Sequence, residues 1–194
     1  MIAETGYNCG FGAKRNFATF DLVEKAPGWL SFISLAVGIY ALFVPSFSAT
    51  HVGAIMVLFG ITTLYIGFYQ QDKGKYDEAG KELTRCFHDL RALYYRVQSM
   101  PDNSDFTPLL DAHKLLCDQY LNVTVSKQIF LSDWYAHFKF FWQQQIEWID
   151  EQKHFKFLRD MVPLSFSVSV LLVIAILVAI GCCSGFPSIC KIAS

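Results

Sequence analysis

The sequence predicts an all-α integral membrane protein, built as an N-terminal transmembrane hairpin, a cytosolic helical bundle and a C-terminal third transmembrane helix. No Asp, Glu, Lys or Arg occurs between Lys25 and Asp72, and none between Asp160 and Lys191. A charge at the centre of a membrane helix costs about 2.5–3.5 kcal/mol, and about 20 apolar residues suffice to cross a bilayer. Residues 72–160, by contrast, hold 12 of the 16 basic and 14 of the 17 acidic residues. Three apolar runs in so short a chain would leave a soluble fold too little polar surface to cover them. The expected organisation is a cytosolic N-terminal segment (1–27), the hairpin (28–71), the cytosolic helical region (72–160), the third span (161–183) and a short tail (184–194).

The first window holds two runs, 29–44 and 52–69, parted by the turn-like Pro45-Ser46-Phe47-Ser48. Glu4, Asp21 and Glu24 precede the first run, which argues against a signal peptide, and Ile2 stands where myristoylation requires glycine. Basic residues near the spans set orientation. Lys14, Arg15 and Lys25 lie before the first span, Lys73, Lys75, Lys81 and Arg85 after the second, and Lys153, Lys156 and Arg159 before the third. The tail has only Lys191. All three clusters are cytosolic if the chain runs in, out, in, out, which leaves the C-terminus outside.

In the polar region Tyr76, Leu83, Phe87, Leu90, Tyr94 and Val97 keep one helical face apolar. Gly80 fills the gap in that series, where another helix can approach. The pattern follows Tyr69 so closely that the second span is expected to continue into the cytosol as one rod, ending at Pro101-Asp102-Asn103. Thr107-Pro108 reads as a cap and first-turn proline, opening a helix with Leu109, Leu110, Leu115, Leu116, Tyr120 and Leu121 on its buried face. From about 127 to 160 aromatics dominate. Trp134, Tyr135, Phe138, Trp142 and Trp148 are candidates for partner or subunit contact or for burial at the lipid interface; the alternative is core packing between the cytosolic helices.

Each span carries small residues on one side: Ser31, Ser34, Gly38 and Ala41 in the first, Gly53, Gly60 and Gly67 in the second, Ser165 and Ser169 in the third. Small residues let backbones touch in lipid, so these are candidates for helix packing within or between chains. Between enough chains, the serines and Thr63 could line a lumen. The spans hold no Asp, Glu, Lys or Arg for proton coupling, ion coupling or voltage sensing.

The six cysteines include no CxxC pair, and no glycine-rich phosphate loop, GxSxG or HExxH occurs. The histidines are scattered singly. No enzyme activity, cofactor or metal is expected, and the near-neutral polar region gives no basis for direct nucleic-acid binding.

The run Lys75-Tyr76-Asp77-Glu78-Ala79-Gly80-Lys81-Glu82-Leu83, with Cys86-Phe87-His88-Asp89-Leu90-Arg91-Ala92-Leu93-Tyr94, resembles the post-membrane helix of SLATT proteins. Trp148-Ile149-Asp150-Glu151 and Asp160-Met161-Val162-Pro163-Leu164-Ser165-Phe166 are similar to that family's C-terminal region, so the likeness covers roughly residues 16 to 165. The resemblance implies a bacterial anti-phage effector of the inner membrane. A cytosolic sensor (a nucleotidyltransferase, a SLOG-type protein or a retron reverse-transcriptase module) would release it to oligomerise and breach the bilayer, an abortive-infection response. A non-conducting adaptor that anchors such a sensor is the alternative. The third span stands outside a two-span pattern.

Overall fold

The computed structural model describes residues 1–44, 49–101, 103–123, 125–144 and 146–185. The expected turn at Pro45-Ser46-Phe47-Ser48 lies outside the described residues, as do the side chains of Cys182, Cys183 and Cys190. The chain divides into two compact units, Met1–His154 and Phe155–Ser194.

The first unit begins with α1, a single helix of 42 residues from Ile2 to Phe43. It therefore runs straight through the boundary that the charge pattern suggested at residue 27. Its first half is part of the core. Ala3, Gly6, Cys9, Gly10, Ala13, Asn16 and Val23 are buried at three- and four-residue spacing, so one narrow face of mostly small side chains meets its neighbours. Pro27 lies inside the helix and supplies no N–H to the carbonyl of Val23.

α2 (Ala49–Gln70) and α3 (Lys73–Gln98) follow. The expected unbroken rod is interrupted at Gln71-Asp72, where the Asp72 N–H turns back to the Tyr69 carbonyl at 3.2 Å. That i to i−3 bond closes one tight turn before the Asp72 carbonyl starts the next helix. α3 packs antiparallel to α1, as three close approaches establish: Cys9 to Cys86, Gly12 to Leu83 and Phe17 to Gly80. A Cβ at Gly80 would fall 2.7 Å from the Phe17 ring, so the gap in the apolar series is indeed where a helix closes in.

α4 (Thr107–Val123) is capped by Asp105, not by Thr107; the Asp105 carboxylate accepts the Thr107 N–H at 2.9 Å. Its buried face also differs from the expected one. Leu109 and His113 are buried, whereas Leu110, Leu115 and Leu121 are exposed. α4 rests mainly on α3, and a helix with one neighbour buries one stripe. α5 (Ser132–Gln143) packs on α1 through Ala136 and Phe140, and α6 (Glu147–Lys153) inserts Trp148 and Ile149. Trp148 is 2% exposed and lies against Gly6, Phe87 and Tyr94.

The second unit holds α7 (Phe157–Asp160), whose Asp160 carboxylate accepts the Lys156 N–H, and α8 (Leu164–Gly185), a 22-residue apolar helix.

Candidate functional site

Among the described residues no group of His, Cys, Asp or Glu could hold a metal ion. The nearest approach to reactive chemistry was not foreseen from sequence. Thr5 Oγ1 lies 3.1 Å from His113 Nε2, and Cys117 Sγ lies 3.6 Å from the same nitrogen. A nucleophile–base pair needs the base's other nitrogen held by an orienting group. Here Nε2 faces both neighbours and burial holds the imidazole below its usual pKa, so packing explains the trio. A cleft of about 520 Å³ opens beside it, lined among others by Ile2, Val97, Phe106 and Leu109. Deeper in the bundle Cys9 and Cys86 bring their sulfurs to 3.3 Å. The Cys86 contact and burial push the Cys9 thiol up, and the same contact pulls the Cys86 thiol down.

What the residues do assemble is an apolar hairpin on a polar root. Trp29, Phe32, Leu35 and Leu42 of α1 and Leu58, Leu64 and Phe68 of α2 are exposed. None of the apolar window of α1 is buried and only 11% of that of α2. A core helix of a water-soluble domain would be covered by its own chain; a surface this apolar and continuous calls for an apolar solvent.

At the root, charges pair across elements. Lys73 of α3 meets Glu24 of α1, and Asp21 takes both Lys25 at 2.7 Å and Lys139 of α5. Arg15 meets Asp133 at 2.6 Å. Burial by itself raises the Asp21 carboxyl, but the Lys139 and Lys25 ammonium groups outweigh it and hold it below the usual carboxylate range. A carboxyl depressed by folding contributes stability that is full above its unfolded pKa, near 4, and lost as pH falls through its folded value. Acid titration of melting temperature is therefore expected to show a loss below about pH 4 that Asp21→Asn removes.

Between charges and hairpin lies a clasp. Residues 125–131, joining α4 to α5, cross the bases of α1 and α2. The Tyr76 hydroxyl donates to the Lys127 carbonyl at 2.8 Å and the Tyr69 hydroxyl to the Gln128 carbonyl at 3.2 Å. Tyr65 accepts the Phe130 N–H at 3.1 Å. The Gln128 side chain bonds Thr19 and Asn16 of α1. Ile129 is buried among Val23, Ile66, Tyr69 and Tyr76. Leu131 adopts φ 70°, a left-handed conformation costing a non-glycine residue about 1–2 kcal/mol, which the surrounding bonds must hold. Removing two of them in a Tyr69→Phe/Tyr76→Phe variant leaves two carbonyls short of partners, at about 1–3 kcal/mol each. Trypsin is expected to cleave after Lys127 faster in that variant, by mass spectrometry of timed digests.

Over residues 1–170 the chain matches the family described as SMODS and SLOG-associating 2TM effector domain 6, SLATT_6. It belongs to this family. The match takes in the apolar hairpin, its clasp and the whole bundle of this SLATT chain, leaving out most of α8. No curated protein and no solved structure matches it.

The candidate residues of the SLATT hairpin stand as follows. Gly38, Gly53, Gly60 and Gly67 have nothing within 4 Å of where a Cβ would sit. The Ser31, Ser34, Thr63 and Ser169 hydroxyls each donate to a carbonyl four residues back, which satisfies them inside their own helix. Ala41 is half-buried. Of the aromatic candidates, Trp148 is spent in the core, Trp134 and Tyr135 are half-buried, and Phe138 and Trp142 are exposed.

Proposed function

We propose that this SLATT chain is the membrane-disrupting effector of a bacterial anti-phage, abortive-infection system. On this reading the hairpin crosses the inner membrane, the bundle stays cytosolic, and α8 crosses as a third span that ends outside. Residues 49–70 give about 33 Å at 1.5 Å per residue, enough for a hydrocarbon core of about 30 Å. A cytosolic sensor of the nucleotidyltransferase, SLOG or reverse-transcriptase type releases the chain to oligomerise and form a pore, without catalysis or cofactor.

The observation that carries this reading is the hairpin's bare surface: its glycines open onto empty space, not onto one another. In lipid, helices associate where small residues admit another backbone, and copies of this chain offer such a face.

Expression of the chain in bacteria, read by membrane potential and propidium entry, tests the proposal. Depolarisation within minutes supports it. An intact potential with the chain inserted, alone and again with its neighbouring genes under phage challenge, sinks it. That result would favour the adaptor reading, for which the exposed Leu110, Leu115 and Leu121 of α4 are the specific support.

A further inference from the structure

The clasp does more than tie helices together. Its successive residues are pinned from the start of α3 back into the apolar α2: Lys127 to Tyr76, Gln128 to Tyr69, Phe130 to Tyr65. Tyr65 lies seven residues before Asp72, the first charge after the hairpin, which is about 10 Å of helix. Its hydroxyl leans back to within 3.3 Å of the Tyr69 hydroxyl, so Phe130 is held about one turn inside the last charges. On α1 the same level carries Leu30, packed on the Ile66–Tyr69 cluster, beside the exposed Trp29.

At that level the clasp turns apolar side chains outward. Phe130 is 72% exposed and Leu131 42%, and the hairpin's Leu64 and Phe68 are exposed on the turns around Tyr65. Part of its backbone is paired there. The Phe130 N–H goes to Tyr65, the Ile129 carbonyl takes the Ser132 N–H at 3.1 Å, and the Leu131 carbonyl takes the Tyr135 N–H at 3.1 Å. Lys127, three residues earlier, keeps its ammonium 4.6 Å from the Tyr69 ring centre. An apolar tip, a partly paired backbone and a cation behind it are what the hydrated headgroup layer of a bilayer accepts.

We propose that residues 125–131 are a membrane-interfacial foot, with Phe130 and Leu131 immersed among the cytosolic-side headgroups and Lys127 at their outer edge. The inference rests on the reading that the hairpin spans a membrane. The bundle is then seated on lipid at a second point besides its helices.

The test places an environment-sensitive fluorescent amino acid at position 130, 115 or 35 of the full chain, one at a time. Each protein is reconstituted in phosphatidylcholine–phosphatidylglycerol vesicles carrying nitroxide at the headgroup or deep in the acyl chain. The foot predicts that probe 130 is quenched about twofold more by the headgroup nitroxide than by the deep one, that probe 35 shows the reverse, and that probe 115 is unaffected. If probe 35 is quenched and probe 130 behaves like probe 115, the foot is overturned while the spanning hairpin stands. Quenching of probe 130 mainly by the deep nitroxide also overturns an interfacial position. If probe 35 escapes both nitroxides, the spanning reading falls and the foot falls with it.

Discussion

A Gly10→Leu variant is expected to lose cooperative unfolding of the bundle altogether. A Cβ at this position would fall 2.8 Å from Phe140 and 2.8 Å from Phe87, closer than real carbon contacts allow. Neither ring can yield: Phe140 is fully buried against Tyr7, and Phe87 is fully buried against Trp148. One extra carbon in such a core costs about 1–3 kcal/mol, so Gly10→Ala should lower the melting temperature visibly. Leucine adds three more carbons with no void to take them, against a total stability of about 5–15 kcal/mol. Gly12 is the control, since its Cβ would sit at an ordinary 3.4 Å from Leu83. Thermal melts in detergent should therefore rank Gly12→Ala near wild type, Gly10→Ala below it, and Gly10→Leu without a transition. A leucine variant that melts normally would mean that α1 does not lie in the core as described.

Gly60→Leu is expected to do the opposite: leave the folded chain intact and abolish leakage, at least about tenfold in the rate of potential loss. Nothing lies within 4 Å of a Cβ at Gly60, so leucine costs the single chain no overlap and adds apolar surface that lipid accepts. A contact with another membrane helix, on a second copy in the pore reading, registers the change, because leucine separates backbones that glycine allows to touch. Membrane fractionation and the melt of the bundle serve as controls for insertion and folding. Leakage unchanged in an inserted, folded variant removes this glycine stripe from the mechanism.

The apolar hairpin and the buried face of α3 were legible because both are written as periodicity within one segment: an uncharged window in the first case, Tyr76, Leu83, Phe87 and Leu90 in the second. The core role of residues 2–25 was not read, although Ala3, Gly6, Gly10 and Ala13 have the same small-residue spacing that was noted in the spans. Low hydrophobicity hid it, since these residues are buried for their size and not for their transfer energy. α4 was misjudged for the converse reason. Its leucines supply two faces, and sequence periodicity does not say how many neighbours a helix has. The clasp could not be found from pattern at all, because residues 125–131 are held by tyrosine hydroxyls on main-chain atoms about 50 to 65 positions away.

The pairing of α1 with α3 also fixes an order of events during synthesis. Cys9 and its partner Cys86 are 77 positions apart, so at about 5–20 residues per second the start of the chain waits roughly 4–15 s for the helix it docks on. In that interval the whole hairpin has emerged from the ribosome while the helix that completes the core does not yet exist. On the membrane-spanning reading, the hairpin is therefore free to insert before the bundle assembles. The early half of α1, buried for its size and not for its hydrophobicity, then waits unpartnered in water at little cost until α3 arrives.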